Sequence, residues 1–137
     1  MKLKKLLPYI LIFLASFFLT PVLFNKIIKR ANKNASEFVQ NFYPQTNHLP
    51  NGIYSGKYKI IGLFTLAKIE FEINNGNVID INLKKLFHSP GSPYKDEIEK
   101  QILRSKKLEV NAISGATRTS NFAKAAIKVA IEDGNKQ

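Results

Sequence analysis

Residues 6–24, LLPYILIFLASFFLTPVLF, form an apolar run without a single charged side chain. As a helix rising about 1.5 Å per residue, the run would span about 28 Å, close to the hydrocarbon thickness of a bilayer. A secretory signal peptide is the alternative, but its apolar core is shorter and a small-x-small cleavage site would follow it. We therefore predict an uncleaved transmembrane helix with basic flanks over residues 1–30.

The positive charge of the chain is concentrated beside this run. Of the net charge of +11, residues 1–44 contribute +6 and residues 45–137 contribute +5. Cations next to a membrane span gain from the negative surface of a bilayer, so membrane lipid is the predicted partner and nucleic acid is not. Three lysines precede the span and four basic residues follow it, so charge leaves the orientation of the span open.

The chain contains no cysteine and only two histidines, His48 and His88. This composition excludes disulfides, thiolate zinc sites, iron–sulfur clusters and haem attached through cysteine. Two histidines are too few for a histidine-rich metal site, so we predict no bound metal. If this chain carries electrons, it needs an organic cofactor.

Residues 31–49 are polar and interrupted, which predicts a connector, and residues 50–137 carry the pattern of a folded domain. Three segments alternate apolar and polar residues with a period of two, as half-buried antiparallel strands do. These segments are Ile53–Ile61, Thr65–Ile73 and Val78–Leu86. In the third segment the alternation places Ile79, Ile81 and Leu83 on the inner face. Asn75-Gly76 lies between the second and third segments and favours a tight hairpin.

Two helices follow the predicted strands. Ser92 and Pro93 are typical of a helix start, and this helix should run to about Ser105 and bury Ile98, Ile102 and Leu103. Residues 108–112 could add a short fourth strand.

The second helix is predicted over Asn121–Asp133, with Ser120 as its cap and Gly134 closing it. The predicted fold class is α+β, a small antiparallel sheet of three to four strands packed with two helices and preceded by one N-terminal transmembrane helix.

Residues 114–120, SGATRTS, lie directly before the second predicted helix. The N-terminal amides and dipole of a helix attract anions, and Gly115 and Ala116 leave room for a phosphate to approach the backbone. Arg118 could add a charge-assisted contact or face solvent. A helix cap that binds nothing is the simpler alternative.

Three segments taken in order resemble the FMN-binding domain family: NGIYSGKY (51–58), NNGNVIDINL (74–83) and EVNAISGATRTS (109–120). The resemblance covers about residues 50–133 and implies FMN as the cofactor. The family's domain occurs in flavin subunits of sodium-pumping NADH:quinone oxidoreductases and of related membrane electron-transport complexes. Its flavinylation motif, Asp-x-x-Ser/Thr-Gly-Ala-Thr/Ser, carries FMN through a phosphoester on the final hydroxyl residue.

Matched to that motif, Thr117 is the implied acceptor, preceded by Ser114, Gly115 and Ala116. Asn111 stands in place of the family's acid, which would weaken attachment by a flavin transferase while leaving the phosphate seat intact. Thr119 and Ser120 complete the hydroxyl-rich part of the implied FMN site. His88 lies where relatives often place a histidine, and it either contacts the flavin or is solvated. Phe87 and Tyr94 could stack on the flavin ring or fill the core.

The resulting prediction is a membrane-anchored, FMN-carrying electron-transfer protein, an electron carrier rather than a complete enzyme. The resemblance implies an extracytoplasmic domain, redox partner proteins in the membrane, and a flavin transferase as the modifying enzyme. No strand–GxGxxG–helix unit for a nicotinamide cofactor is present. One alternative is a noncatalytic module that binds FMN reversibly. The other is a basic membrane-surface scaffold using Lys57, Lys59, Lys84, Lys85, Lys106 and Lys107.

Overall fold

The computed structural model describes residues 2–88 and 90–134. It contains two compact units, one ending at Lys33 and one beginning at Asn34. Helix α1, Lys2–Phe38, carries the apolar run together with Pro8 and Pro21. Large apolar side chains along it are exposed, Phe13 at 70% and Phe18 at 71% among them. Within the described residues, this is the one helix long and apolar enough to cross a membrane, judged by length and composition.

The second unit is an α+β fold, which confirms the predicted class. A 3₁₀ turn at Thr46–His48 leads into a three-stranded antiparallel sheet of order β1-β2-β3, followed by two helices. The elements are β1 (Gly52–Ile60), β2 (Phe64–Asn74), β3 (Asn77–Leu86), α2 (Tyr94–Ser105) and α3 (Thr117–Gly134). Because α3 packs on β1 and β2 while α2 packs on β3, one face of the sheet is covered and the other faces solvent.

Strand β2 follows the predicted alternation from Ala67 to Ile73. Ala67, Ile69, Phe71 and Ile73 are no more than 1% exposed, whereas the residues between them are half-buried. Asn75 (φ 51°) and Gly76 (φ 75°) form the predicted hairpin turn, with both residues in the left-handed region that such a turn requires. Pattern and turn chemistry therefore set this part of the fold locally.

Strand β3 departs from simple alternation at Ile79, and the prediction that Ile79 faces the core is wrong. Glu72 pairs with Asp80, but the next residue, Ile73, pairs with Val78, so Ile79 is the extra residue of a β-bulge. The bulge turns Val78 inward, at 2% exposed, and leaves Ile79 50% exposed.

Gly56 lets α3 approach the sheet at backbone distance. A Cβ atom built there would lie 2.6 Å from Ala130 N and 2.8 Å from Ala130 Cβ, and it would also overlap Ala126 O. Two residues earlier on the same face, the Tyr54 ring stacks on Phe71 at 5.3 Å. A glycine at 56 thus sets how closely α3 packs on the sheet.

Helix α2 begins one residue later than predicted. Pro93 is its N-cap, and the Ser92 hydroxyl, which was predicted to cap the helix, is hydrogen-bonded to His88 Nδ1 instead. Ile98 and Ile102 are fully buried as predicted, but Leu103 is 40% exposed.

Residues 108–112 form no strand, although they lie within the described part of the chain. Leu108 and Val110 are buried and Glu109 is exposed. The side chains of this segment therefore alternate between buried and exposed, although the segment is not a strand of the sheet.

Helix α3 begins at Thr117, four residues before the predicted start. The first helical bond runs from Ser120 N to Ala116 O at 3.0 Å, so Ser120 lies inside the first turn and is not the cap. The Ser120 side chain is 2% exposed, and among the described residues its Oγ has no hydrogen-bond partner. Serine favours the cap position, so the sequence predicts Ser120 there, but in the structure its side chain is buried within the first turn of α3.

Candidate functional site

A cleft of about 350 Å³ lies where the end of β3 meets the start of α3. This volume lies at the lower end of the range of ligand pockets, about 300–1,000 Å³. Three segments line the cleft: Phe87 and His88 after β3, Tyr94 at the start of α2, and residues 115–119. The loop after β3, the first residue of α2 and the turn before α3 therefore converge on one site.

The α3 terminus offers backbone donors to this cleft. The amides of Thr117, Arg118 and Thr119 stand in the first turn, where N–H groups have no intrahelical acceptor. The positive end of the helix dipole lies at the same place, and α3 is 18 residues long. Thr117 and Arg118 are exposed, so a hydroxyl and a guanidinium accompany the amides. Together these groups make the N-terminus of α3 suited to bind an anion, with the Thr117 hydroxyl beside it.

Gly115 shapes the turn that precedes α3. Its φ is +79°, a left-handed conformation that residues with a side chain rarely adopt. A Cβ atom there would lie 3.6 Å from the Tyr94 hydroxyl oxygen, so a larger residue would narrow the space between the turn and Tyr94. Ala116 is buried beneath the turn, and its N–H donates to Ile113 O at 2.9 Å. The turn is thus small, closed on itself and open toward the cleft.

The opposite wall of the cleft is aromatic and contains one imidazole. Phe87 packs edge-on against Phe122 of α3, with ring centroids 6.1 Å apart. The His88 ring is half-buried, and its Nδ1 lies 2.9 Å from Ser92 Oγ, which fixes the ring's orientation. Tyr94, the first residue of α2, is also half-buried.

One hydrogen bond joins the two walls. The Thr119 hydroxyl, on a side chain only 5% exposed, donates to the carbonyl oxygen of Phe87 at 3.1 Å. These residues are 32 positions apart, and nothing in the local sequence around either residue indicates the bond. Thr119 therefore holds the loop after β3 against the first turn of α3.

The cleft brings together five of the eight residues that the sequence predicted for the site: His88, Gly115, Ala116, Thr117 and Thr119. Phe87, Tyr94 and Arg118, whose roles the sequence left open, also line it.

The other three predicted residues lie elsewhere in the fold. Ser114 is exposed beside the turn, and Ser120 is buried under it. Asn111 is exposed and lines a different cleft of about 220 Å³, together with residues 42–44 and Lys124. Asn111 and Thr117 line different clefts, so Asn111 is not part of the wall around Thr117.

A family model described as "FMN-binding domain" matches residues 51–132, which is more than half of the chain. The chain belongs to the FMN-binding domain family. Its cofactor is FMN. No curated protein and no solved structure matches this chain.

The cleft has the groups that FMN requires. A phosphate finds amides, a helix dipole and Arg118 at the α3 terminus. A flat ring would meet the aromatic side chains of Phe87 and Tyr94. Ligand pockets commonly combine such apolar and aromatic walls with a few directed polar groups. FMN carries a phosphate and a flat ring in one molecule, and this cleft offers contacts suited to each.

Proposed function

We propose that this protein is a membrane-anchored electron carrier that holds FMN through a phosphoester on the Thr117 hydroxyl. One observation carries the proposal: Thr117 is exposed at the first position of α3, at the edge of the cleft where the helix amides would receive the phosphate. A hydroxyl buried in the core could not be modified. At this position, both a modifying enzyme and the cofactor can reach it.

Each wall of the cleft contributes a separate interaction. The amides of Thr117, Arg118 and Thr119 hold the phosphoryl oxygens, and Arg118 adds a charge-assisted contact. Gly115 keeps the approach to the backbone open. Phe87 and Tyr94 would flank the ring system, and His88, oriented by Ser92, lies on the same wall of the cleft.

When bound, FMN supplies the redox chemistry, since a flavin accepts and donates one or two electrons. The chain's own residues bind and orient the cofactor and set the electrostatic field around it. Thr117 serves as an attachment point, and its oxygen takes no part in electron transfer once the ester is formed.

The anchoring half of the proposal depends on α1. It is long and apolar enough to span a bilayer, and lysines and an arginine flank its apolar run. A span of this kind keeps the carrier beside membrane-bound redox partners. The resemblance to the family supports an extracytoplasmic position for the soluble domain, where a flavin transferase would modify it.

Reversible FMN binding is the second candidate, and Asn111 favours it. An amide replaces the motif's acid, and Asn111 lines a cleft apart from the one that holds Thr117. Its effect therefore falls on recognition by the flavin transferase, not on the FMN seat.

Thr117→Val tests the site of attachment. The full chain is coexpressed with a flavin transferase, and intact mass is measured for the parent and the variant. We expect the FMN adduct on the parent and its loss in Thr117→Val. Thr117→Ser should keep the adduct, and Ser55→Ala, which removes an exposed hydroxyl outside the motif, should leave it unchanged. An adduct that persists in Thr117→Val would place the linkage on another residue.

Asn111→Asp separates the two candidates. Under the same coexpression we expect a larger modified fraction, because the acid restores the family motif. If the parent is yellow but loses its colour on denaturation and Asn111→Asp does not change this, the reversible module is the correct description. A colourless parent would favour the basic scaffold.

A further inference from the structure

The hairpin between β1 and β2 exposes an apolar tip. Ile61 is 75% exposed, Leu63 81% and Phe64 68%, and all three lie in or beside a turn closed by the Ile60–Phe64 pair. We call Ile61–Phe64 the apolar tip. Clustered exposed apolar side chains at one loop mark an interaction site more often than scattered ones do.

The turn in the apolar tip keeps an unfavourable residue. Ile61 has φ 52°, and β-branched residues rarely adopt this left-handed conformation. In the hairpin between β2 and β3, the left-handed positions are occupied by Asn75 and Gly76, the pair that such turns prefer. An isoleucine at 61 therefore costs folding stability, and what it provides is an apolar side chain at the tip.

A row of lysines crosses the outer face of the sheet behind the tip. Lys57 pairs with Lys68, and Lys68 pairs with Lys85, so the three side chains lie side by side on adjacent strands. Like charges in direct cross-strand register destabilise a sheet. None of the three has an ion-pair partner within the described residues. An anionic surface that neutralises the three lysines would relieve this repulsion and would therefore bind the row favourably.

The outer face is polarised along its length. The lysine row lies toward the apolar tip, whereas Glu72 and Asp80, directly paired, lie toward the opposite hairpin. At about 3.3 Å per residue, the three steps from Lys57 to Ile60, the residue before the apolar tip, place the lysines about 10 Å behind it. When amphipathic elements bind at a bilayer surface, apolar groups enter it by about 5–10 Å and cations meet the anionic headgroups. The spacing and the charge order both fit a membrane surface.

We infer that the apolar tip and the lysine row dock the second unit onto an anionic bilayer surface. The inference rests on the proposed anchoring, since residues 25–33, which follow the apolar run, continue α1 and rise only about 14 Å as a helix. The chain also enters this unit beside the docking end, because the Phe38 ring stacks on Tyr58 of β1 at 6.4 Å.

Docking by the apolar tip would direct the FMN cleft toward the lipid. Phe87 N donates to Leu66 O at 2.7 Å, so the loop after β3 lies beside the start of β2, at the end of the sheet that carries the tip. Tyr58 and Phe122, stacked at 6.0 Å, place the first turns of α3 at the same end. The cleft and the docking surface thus share one end of the unit, where membrane-bound redox partners can approach the flavin.

Site-directed spin labelling of the full chain in nanodiscs tests the inference, and the absence of cysteine makes each introduced label unique. Labels are placed through Leu63→Cys at the tip, Ile53→Cys at the opposite end of β1, and Phe17→Cys in α1. We expect the label at 63 to be accessible to oxygen and protected from a water-soluble nickel reagent in phosphatidylglycerol-containing nanodiscs. The label at 53, where the native side chain is 71% exposed, should remain in water.

Lysine variants test the electrostatic part. Each lysine near an anionic surface contributes about fivefold, so Lys57→Gln, Lys68→Gln and Lys85→Gln together should lower the docked-to-free ratio by about 100-fold. The control variant combines Lys100→Gln, Lys106→Gln and Lys107→Gln, which remove the same amount of charge away from the tip. Lys106 lies at the far end of the sheet, because its carbonyl oxygen accepts a hydrogen bond from Val78 N. This control should leave docking unchanged.

The three labels separate the possible failures. If the label at 63 is in water while the label at 17 is in the bilayer, docking is refuted and anchoring stands. If both are in water, anchoring fails as well. A label at 63 that is shielded from oxygen and from nickel alike would indicate a contact with protein, either a second copy or a partner, and would overturn the lipid assignment.

Discussion

Replacing Gly56 with alanine should strongly destabilise the second unit. The new Cβ would lie 2.6 Å from Ala130 N, whereas real Cβ contacts are seldom closer than 3.0–3.4 Å. The neighbouring atoms belong to the α3 backbone and cannot rotate away, so the helix must move outward by roughly half an ångström. The substitution tests whether α3 really rests in contact with the sheet.

The magnitude follows from two opposing terms. Overpacking of this kind costs about 1–3 kcal/mol, and a clash with backbone belongs at the upper end. Against it, alanine reduces the entropy of the unfolded chain relative to glycine, worth about 0.4–1 kcal/mol. We therefore expect a net loss of about 2 kcal/mol in the free energy of unfolding, or about 8–16 °C in Tm for a unit of this size.

Urea unfolding of the full chain in detergent micelles measures this loss. Near-UV circular dichroism is a suitable signal, because Tyr54 packs on Phe71 in the same core. Ser55→Ala, at the exposed neighbouring position, is the control and should stay within about 0.5 kcal/mol of the parent. Adding Ala130→Gly to Gly56→Ala should not restore stability, since the overlaps with Ala126 O and Ala130 N remain. A parent-like Gly56→Ala variant would refute the close approach of α3.

Two further predictions concern stability. Ser120→Ala should leave the free energy of unfolding unchanged or raise it by up to about 1 kcal/mol, because it removes a buried hydroxyl that has no partner among the described residues. If urea unfolding instead shows a loss of about 1 kcal/mol, Ser120 acts as a helix cap after all. Burial raises the pKa of Tyr58 above 10.0, so the unfolded chain ionises first and stability should fall as pH rises above about 10. Tyr58→Phe should flatten this alkaline loss in pH-dependent unfolding, whereas Tyr43→Phe, at an 82% exposed position, should not; equal slopes in both variants would contradict the assignment.

Local patterns in the sequence determined much of this protein. The alternation of Ala67, Ile69 and Phe71 predicted β2, and Asn75-Gly76 predicted the hairpin, because side-chain direction and turn angles depend on near neighbours. The apolar run predicted a helix able to span a bilayer, and SGAT with its flanking segments indicated the FMN-binding domain family.

Other features depended on the tertiary structure, and each involves a competition between distant groups. The alternation of the sequence predicts that Ile79 faces the core, but strand pairing places a β-bulge there and leaves Ile79 exposed. Ser120 looks like a cap, yet α3 begins at Thr117 and packing against the sheet buries the serine. The candidate cleft itself requires Phe87 to meet Thr119 across 32 positions, and the chain closes that distance only when the sheet and α3 pack together. The sequence by itself thus indicated the FMN-binding domain family and its cofactor. Packing alone decided which side chains line the cleft beside Thr117, because no local pattern records a contact between residues so far apart.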